Sequence, residues 1–345
     1  MSNIYSELKI FNQKEKLESL YEENTAPIHI RIKPTNSCNH NCKYCHFRRE
    51  HKDICRDMDR NSFIPREKMF EIVDDLAEIG VKAVTFSGGG EPLMYPHLLL
   101  TLRKMYVNGI KTAVLTNGSL LRGEIARDIS CRSVWTRISI DGWDNKSYSE
   151  YRGVSEGEFD KVLQNIRDFK ALGGKCELGV SIIVDKKNAT HIRELATKLI
   201  DCGVSNIKIS PCIVSDEVDE INEYHKPLFD IVGEQIKGLP NIYDGYRKQI
   251  GSFKKNYNWC PFLQILTVIG ADLNIYTCQD KAYSFNEGML GTIQDKRFID
   301  FWFEDKTKFF GITPSIHCNH HCVADSKNKL ILDYLDLDKE HIAFV

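Results

Sequence analysis

Cys38, Cys42 and Cys45 fall within eight residues, Cys38-Asn39-His40-Asn41-Cys42-Lys43-Tyr44-Cys45, and bring three thiolates to one loop. Structural zinc and ordinary 4Fe-4S sites take four ligands. Either His46 or His51 completes a zinc knuckle, or one iron of a cluster stays open to a small chelating molecule. A second group, Cys260, Cys278, Cys318 and Cys322, is spaced Cys-x17-Cys-x39-Cys-x3-Cys. Four thiolates from separated segments close around one metal centre, and spacing alone leaves zinc and iron-sulfur both open. Cys55, Cys131, Cys176, Cys202 and Cys212 are scattered, and a lone cysteine reads first as a small buried hydrophobe.

One glycine-rich run accompanies the first group. Ser87-Gly88-Gly89-Gly90-Glu91-Pro92 offers backbone able to approach a ligand and a carboxylate able to accept from an amino group. The amino and carboxylate groups of a methionine moiety suit an open iron, and an electron passed into an adjacent sulfonium releases a carbon radical.

These residues need a frame, and the chain supplies one. Its 345 residues, 42% hydrophobic, are enough for a large core. The net charge of −2 leaves no excess of cations for a phosphate backbone, which argues against nucleic acid. Met1 to Lys16 is polar, and no run of 18 apolar residues occurs, so a cytoplasmic protein without a membrane span is predicted. In that compartment clustered cysteines are metal ligands or catalytic groups more often than disulfides.

Alternating apolar residues predict strands at 28–33, 82–86, 111–115, 134–140, 177–184 and 204–210. Between them, Met69, Ile72, Val73, Leu76 and Ile79 repeat at helical spacing after Pro65 and stop at Gly80. Further helices are expected near 96–107, from a Ser155/Glu158 capping box to about Leu172, and over Ile192 to Ile200. Six strands alternating with helices imply parallel βαβ units, whose reactive loops gather at the strand exits. The three-cysteine loop, the glycine loop, Thr116-Asn117-Gly118, Ser139-Ile140-Asp141-Gly142 and Ser210-Pro211-Cys212 all lie at such exits. Past about residue 240 the alternation ends; a hairpin near 264–269 and 273–277 and short helices around 297–311 follow.

Cys-x3-Cys-x2-Cys after the first strand, Tyr44 before the third cysteine and Gly-Gly-Glu-Pro after the second strand together resemble the radical S-adenosylmethionine superfamily, over residues 28 to 215. The resemblance implies an α/β fold, a partial (β/α)6 TIM-like barrel over 28–240 preceded by a helical extension (1–27). Residues 241–345 are similar to the Cys-rich auxiliary-cluster module of that superfamily in its shortened, twitch form, through Ala271 to Cys278, Leu290-Gly291-Thr292-Ile293 and Phe301-Trp302. Leu273 stands where that pattern has glycine. The implied cofactors are a 4Fe-4S cluster on Cys38, Cys42 and Cys45, S-adenosylmethionine, and an auxiliary 4Fe-4S cluster on Cys260, Cys278, Cys318 and Cys322.

Carried over by the same resemblance, Gly89, Gly90 and Glu91 meet the methionine amino group, and Ser139 and Asp141 face the ribose or methionyl end. Thr116 and Asn117 line the pocket, and the backbone at His46 and Phe47 touches adenine. Arg152 pairs with the methionine carboxylate, or is a solvated charge at a helix start. The implied reaction begins with a 5'-deoxyadenosyl radical and, with an external donor such as flavodoxin or ferredoxin, ends in dehydrogenation or epimerisation. Cys212 is the candidate hydrogen-atom donor, against its reading as a buried structural thiol. His225, Asp216, Glu217 and Arg137 are candidate bases. Because 27 residues precede the first strand, a small carbohydrate-like substrate is expected ahead of a peptide, with a non-catalytic zinc protein as the third reading.

Overall fold

In the computed structural model, which describes residues 4–47, 55–215, 217–249, 255–318, 322–338, 340, 341 and 344, ten strands form one sheet. They are β1 (His29–Ile32), β2 (Ala83–Phe86), β3 (Lys111–Thr116), β4 (Trp135–Ser139), β5 (Glu177–Val184), β6 (Asn206–Pro211), β7 (Ile242–Asp244), β8 (Leu266–Ile269), β9 (Asn274–Tyr276) and β10 (Met289–Thr292). Their spatial order is β10-β9-β8-β1-β2-β3-β4-β5-β6-β7. From β8 through β7 all neighbours are parallel, whereas β9 runs antiparallel to both β8 and β10. The result is an open α/β barrel in which all six predicted strands are present.

Strand alternation decides which residues face the helices. Ile30 and Ile32 of β1, Val84 and Phe86 of β2, Ile138 of β4, Val180 and Ile182 of β5, and Ile207 and Ile209 of β6 are buried in one core. Helices Arg66–Glu78, Leu98–Val107, Glu158–Ala171 and Ile192–Asp201 supply its other wall through residues such as Met69, Leu102, Ile166 and Leu195. The intervening strand residues, His29 and Arg31, Thr85, Ala113, Arg137, Gly179 and Ser181, and Lys208, therefore face the concave side.

Several helices escaped the sequence pattern, among them Asn145–Arg152 and Gly123–Arg132 near the site. Asn145–Arg152 has only Tyr148 and Tyr151 to bury among polar residues, a short pattern that does not reveal it; Asp144 and Ser147 close a capping box at its start. Gly123–Arg132 packs on the core through Ile125, Ala126 and Ile129, a short apolar stripe in an otherwise polar run. The capping box expected at Ser155 and Glu158 is not formed: the helix Glu158–Ala171 starts after Gly157, whose φ of 94° no side-chain cap supports.

The chain beyond residue 240 extends both edges of the open barrel, β7 beside β6 and β8 beside β1. The expected hairpin is present but shorter, because Phe262–Ile265 makes a helical turn before β8. At its turn Leu273 has φ 64°, the left-handed conformation that glycine adopts without penalty. Ile10, Leu17 and Leu20 of the N-terminal segment pack with Ile265 and Ile331, joining the two ends of the chain. At the strand starts a cavity of about 610 Å³ is lined by His29, Lys111, Trp135 and Glu177, with Ile4 and Tyr5 also on its wall. Tyr5 stacks on Tyr243 with ring centroids 4.0 Å apart and donates to Asn206 Oδ1 at 2.6 Å. Among the described residues no helix is long and apolar enough to cross a membrane.

Candidate functional site

The three-cysteine loop leaves β1 at Lys33, whose amide still bonds Ile269 O at 2.9 Å. The Lys33 ammonium donates to Gly88 O at 2.9 Å and lies 4.2 Å from the Phe47 ring centroid. Burial, with Arg31 next, pushes this ammonium down to about 7. From there the loop is fastened on two sides. Gly90 N donates to Thr35 O (3.0 Å) and Glu91 N to Ser37 O (2.9 Å), while Asn41 N and Lys43 N donate to Arg152 O and Tyr151 O at the end of helix Asn145–Arg152.

The glycines make the first fastening possible. A Cβ at Gly90 would stand 1.9 Å from Ser37 O, and one at Gly89 would stand 2.1 Å from Asn36 Oδ1. Their missing side chains let the two loops dock. Gly90→Ala should therefore part the loops, lowering stability by about 1–3 kcal/mol and the iron retained after reconstitution. Wild-type melting temperature and iron content in that variant would show that the contact is dispensable.

The Glu91 carboxylate accepts from Leu93 N (3.0 Å), Thr116 Oγ1 (2.6 Å) and Asn117 N (2.7 Å). Asn117 Nδ2 in turn donates to Asn39 Oδ1 (2.9 Å), and Asn39 Nδ2 to Ser119 Oγ (2.7 Å). Thr116 and Asn117 thus tie the third strand exit to the glycine loop and the cysteine loop. Burial works to raise the Glu91 pKa, against these three donors and Arg152. Ser87 Oγ, at the head of the glycine loop, is buried without a partner among the described residues.

Arg152 is buried at the end of its helix, which rules out the solvated-charge reading. Its Nη2 lies 2.5 Å from Asp141 Oδ2, and its Nη1 donates to Cys42 Sγ at 3.7 Å. Burial opposes the guanidinium charge, but Tyr44, Asp141 and Cys42 hold its pKa well above the ordinary value. Asp141 also accepts from the Tyr44 hydroxyl and from Ile183 N (2.6 Å). Its carboxylate is thereby occupied by protein donors. Arg152 Nε, by contrast, is buried and unpartnered among the described residues. Ser139 stands half-buried on the concave side of β4.

Cys212 is buried just past β6; its amide bonds Val184 O at 2.9 Å. His225 Nε2 reaches Cys212 O at 2.8 Å and Nδ1 reaches the Tyr246 hydroxyl at 3.0 Å. Burial pushes the His225 pKa down, so the ring is neutral with both nitrogens engaged, a support for Cys212 where the sequence suggested a base. Arg137 is withdrawn to the strand-start side, donating to the Tyr5 hydroxyl at 2.7 Å. Glu217 is exposed ahead of helix Val218–His225. Asp216 and His51 lie outside the described residues.

In the second group, Cys260 precedes helix Phe262–Ile265, Cys278 follows β9, Cys318 ends helix Pro314–His317, and Cys322 precedes helix Asp325–Leu335. Asn328 Nδ2 donates to Cys260 Sγ at 3.2 Å. Burial pushes Cys260 up to about 11, with Cys318 adding, and Cys322 up to about 12, with Asp280 and Cys260 adding. Cys278 rises well above its usual value for the same reasons, with Asp280, Cys322 and Cys260 contributing. Thiols that crowd and bury one another become thiolates only when a metal centre supplies positive charge. The donor set therefore suits such a centre. Sequence reasoning missed Lys33, Asn36, Asn39 and Tyr283; Tyr283 donates to Asn36 Oδ1 (2.6 Å) across 247 positions, a distance no local pattern bridges.

Comparison with known proteins bears on this site. The family described as Radical SAM superfamily matches residues 32–196. A curated relative, the tungsten-containing aldehyde ferredoxin oxidoreductase cofactor-modifying protein of Pyrococcus furiosus, is 23% identical over 82% of this chain and 82% of its own length. An S-adenosylmethionine-dependent nucleotide dehydratase of Flammeovirga pacifica is 32% identical, over 44% of this chain and 51% of its own. Across six further curated relatives the chain spans from 36% to 69% of their length. Streptococcus suis SuiB bound to S-adenosylmethionine has the same fold, with TM-score 0.63 and 19% identity, over 90% of this chain and 74% of that one. SuiB is also solved with its precursor peptide SuiA.

Proposed function

Since the chain belongs to the radical S-adenosylmethionine superfamily through residues 32–196, we propose that it abstracts hydrogen from a small polar, carbohydrate-like substrate at the mouth of its open barrel. The observation that carries this reading is the docking of the Cys38, Cys42 and Cys45 loop onto the glycine loop through Gly90 and Glu91. These three cysteines hold a 4Fe-4S cluster. When bound, that cluster and S-adenosylmethionine supply a 5'-deoxyadenosyl radical, given an electron from a donor such as flavodoxin or ferredoxin.

The chain's own residues do the positioning. Arg152 offers Nε to the methionine carboxylate while its other nitrogens stay on Asp141 and Cys42. Glu91 holds the backbone of Gly89 and Gly90 toward the amino group by anchoring it to Thr116 and Asn117. Phe47 and Ser139 bound the nucleoside. Cys260, Cys278, Cys318 and Cys322 hold a second, auxiliary 4Fe-4S cluster.

For the substrate, the concave side presents the half-buried hydroxyl residues Ser139, Ser181 and Ser210, which suit a polyol. The nucleotide dehydratase among the relatives supports a small molecule; SuiB, with its peptide, represents the competing peptide reading. Cys212 closes the sixth exit and is the candidate thiol for returning a hydrogen atom. Incubation with S-adenosylmethionine, reductant and a panel of sugars and peptides in deuterated water separates these outcomes. An epimerase places deuterium on a carbinol carbon, and its Cys212→Ala variant makes 5'-deoxyadenosine but no epimer. Unchanged epimer formation in that variant would remove Cys212 from the reaction, and deuterium or dehydrogenation in peptides alone would overturn the sugar-like substrate.

A further inference from the structure

We propose that the barrel interior binds an oxyanion of the substrate, a phosphate or a carboxylate, between Arg31 of β1 and Lys208 of β6, with Arg137 of β4 and Lys327 of helix Asp325–Leu335 beside them. This rests on the reading of a small polar substrate and narrows that substrate to an anion.

The placement follows from strand alternation. Arg31 lies between Ile30 and Ile32, Arg137 between Thr136 and Ile138, and Lys208 between Ile207 and Ile209, all five apolar neighbours being buried outward. The three cations therefore share the concave side, and each keeps partial solvent contact there. Arg31 and Lys208 make no hydrogen bond or ion pair among the described residues, and Arg31 Nε is buried without a partner. Lys208 runs past Gly245, where a Cβ would stand 3.2 Å from its Cε, so its stem is supported while its ammonium is not neutralised.

Nearby acids do not balance this charge. Glu177 is taken by Asn206 Nδ2, and Asp280 faces Arg31, Lys33 and Lys255 together. Burial pushes Lys208 down to about 8, and Arg137, Lys327 and Arg31 act in the same direction. Like charges gathered in a concave, low-dielectric wall concentrate an attractive field for an anion, and a guanidinium offers paired donors to its oxygens.

Depth gives the substrate an orientation. Lys33, Ser139 and Ser210 lie two residues further along the same strands toward the cysteine loop, about 6–7 Å. An anion held at Arg31 and Lys208 thus leaves the neutral, hydroxyl-bearing part of the molecule among the serines and nearest the cluster loop.

The test uses the full chain with both clusters reconstituted anaerobically, and calorimetric titration with glucose 1-phosphate, glucuronate and glucose. At least one anionic probe should bind about tenfold or more tighter than glucose and weaken as salt rises. Binding of the phosphate alone assigns the site to phosphate, and of glucuronate alone to carboxylate. Lys208→Met and Arg31→Gln should each weaken the preferred anion about tenfold, and Lys208→Arg should restore most of it. Removal of an unbalanced cation should leave the melting temperature unchanged or higher. Equal binding of all three probes, wild-type affinity in Lys208→Met, or affinity lost only with a fall in melting temperature would overturn the proposal. Failure of the wild-type protein to cleave S-adenosylmethionine would instead defeat the radical reading, and leaves the anion titration to stand by itself.

Discussion

Cys42→Ala should abolish formation of 5'-deoxyadenosine and leave about four irons per chain in place of about eight. The expected loss is complete because the three thiols act as one set, and two are too few to hold the cluster. Cys42 is also the thiol that meets the Arg152 guanidinium, at 3.7 Å, so its removal takes away the acceptor for one of that cation's donors. Cys278→Ala makes the informative contrast. It sits with Cys260 and Cys322 in the second group and should lose a similar amount of iron, yet cleavage of S-adenosylmethionine without substrate should persist. Product formation by Cys42→Ala at the wild-type rate would remove the first loop from the chemistry.

Asp141→Ala should be the most destabilising single change near the site. Its carboxylate is fully buried and balances Arg152, which is itself 4% exposed. Loss of one partner of such a pair leaves an uncompensated charge at a cost of about 3–5 kcal/mol. Two further donors, the Tyr44 hydroxyl and Ile183 N, lose their acceptor at the same time. Since Tyr44 precedes Cys45 and Arg152 O receives Asn41 N, the damage reaches the cysteine loop from both sides. Asp141→Asn keeps one acceptor oxygen, enough for Ile183 N or the Tyr44 hydroxyl but not both, and should lose less. Denaturant midpoints and iron content measured together decide it; an Asp141→Ala protein within about 1 kcal/mol of wild type would show that Arg152 finds another counter-charge.

The elements that carry chemistry were legible because their signals are local. The cysteine spacing, the glycine run and the strand that precedes each lie within a few residues of one another, and the strands declared themselves through Ile30 and Ile32 or Ile207 and Ile209. Helix Asn145–Arg152 was not legible, since its buried face is only Tyr148 and Tyr151 and its start depends on a side-chain cap. The protein partners of Glu91 and Asp141 were not legible either: each is engaged by donors that its position in the chain does not reveal. The inward cations have the opposite problem. A charge between two isoleucines on a strand reads as a solvent face until the curvature of the sheet makes that face an interior.

The central claim is that the loop of Cys38, Cys42 and Cys45 holds a cluster that cleaves S-adenosylmethionine. The direct measurement is anaerobic incubation of the reconstituted chain with S-adenosylmethionine and dithionite, followed by chromatographic quantitation of products. Methionine and 5'-deoxyadenosine should appear in equal amounts. Intact S-adenosylmethionine beside protein that carries its full iron and sulfide, or protein that binds zinc and no sulfide, would contradict it.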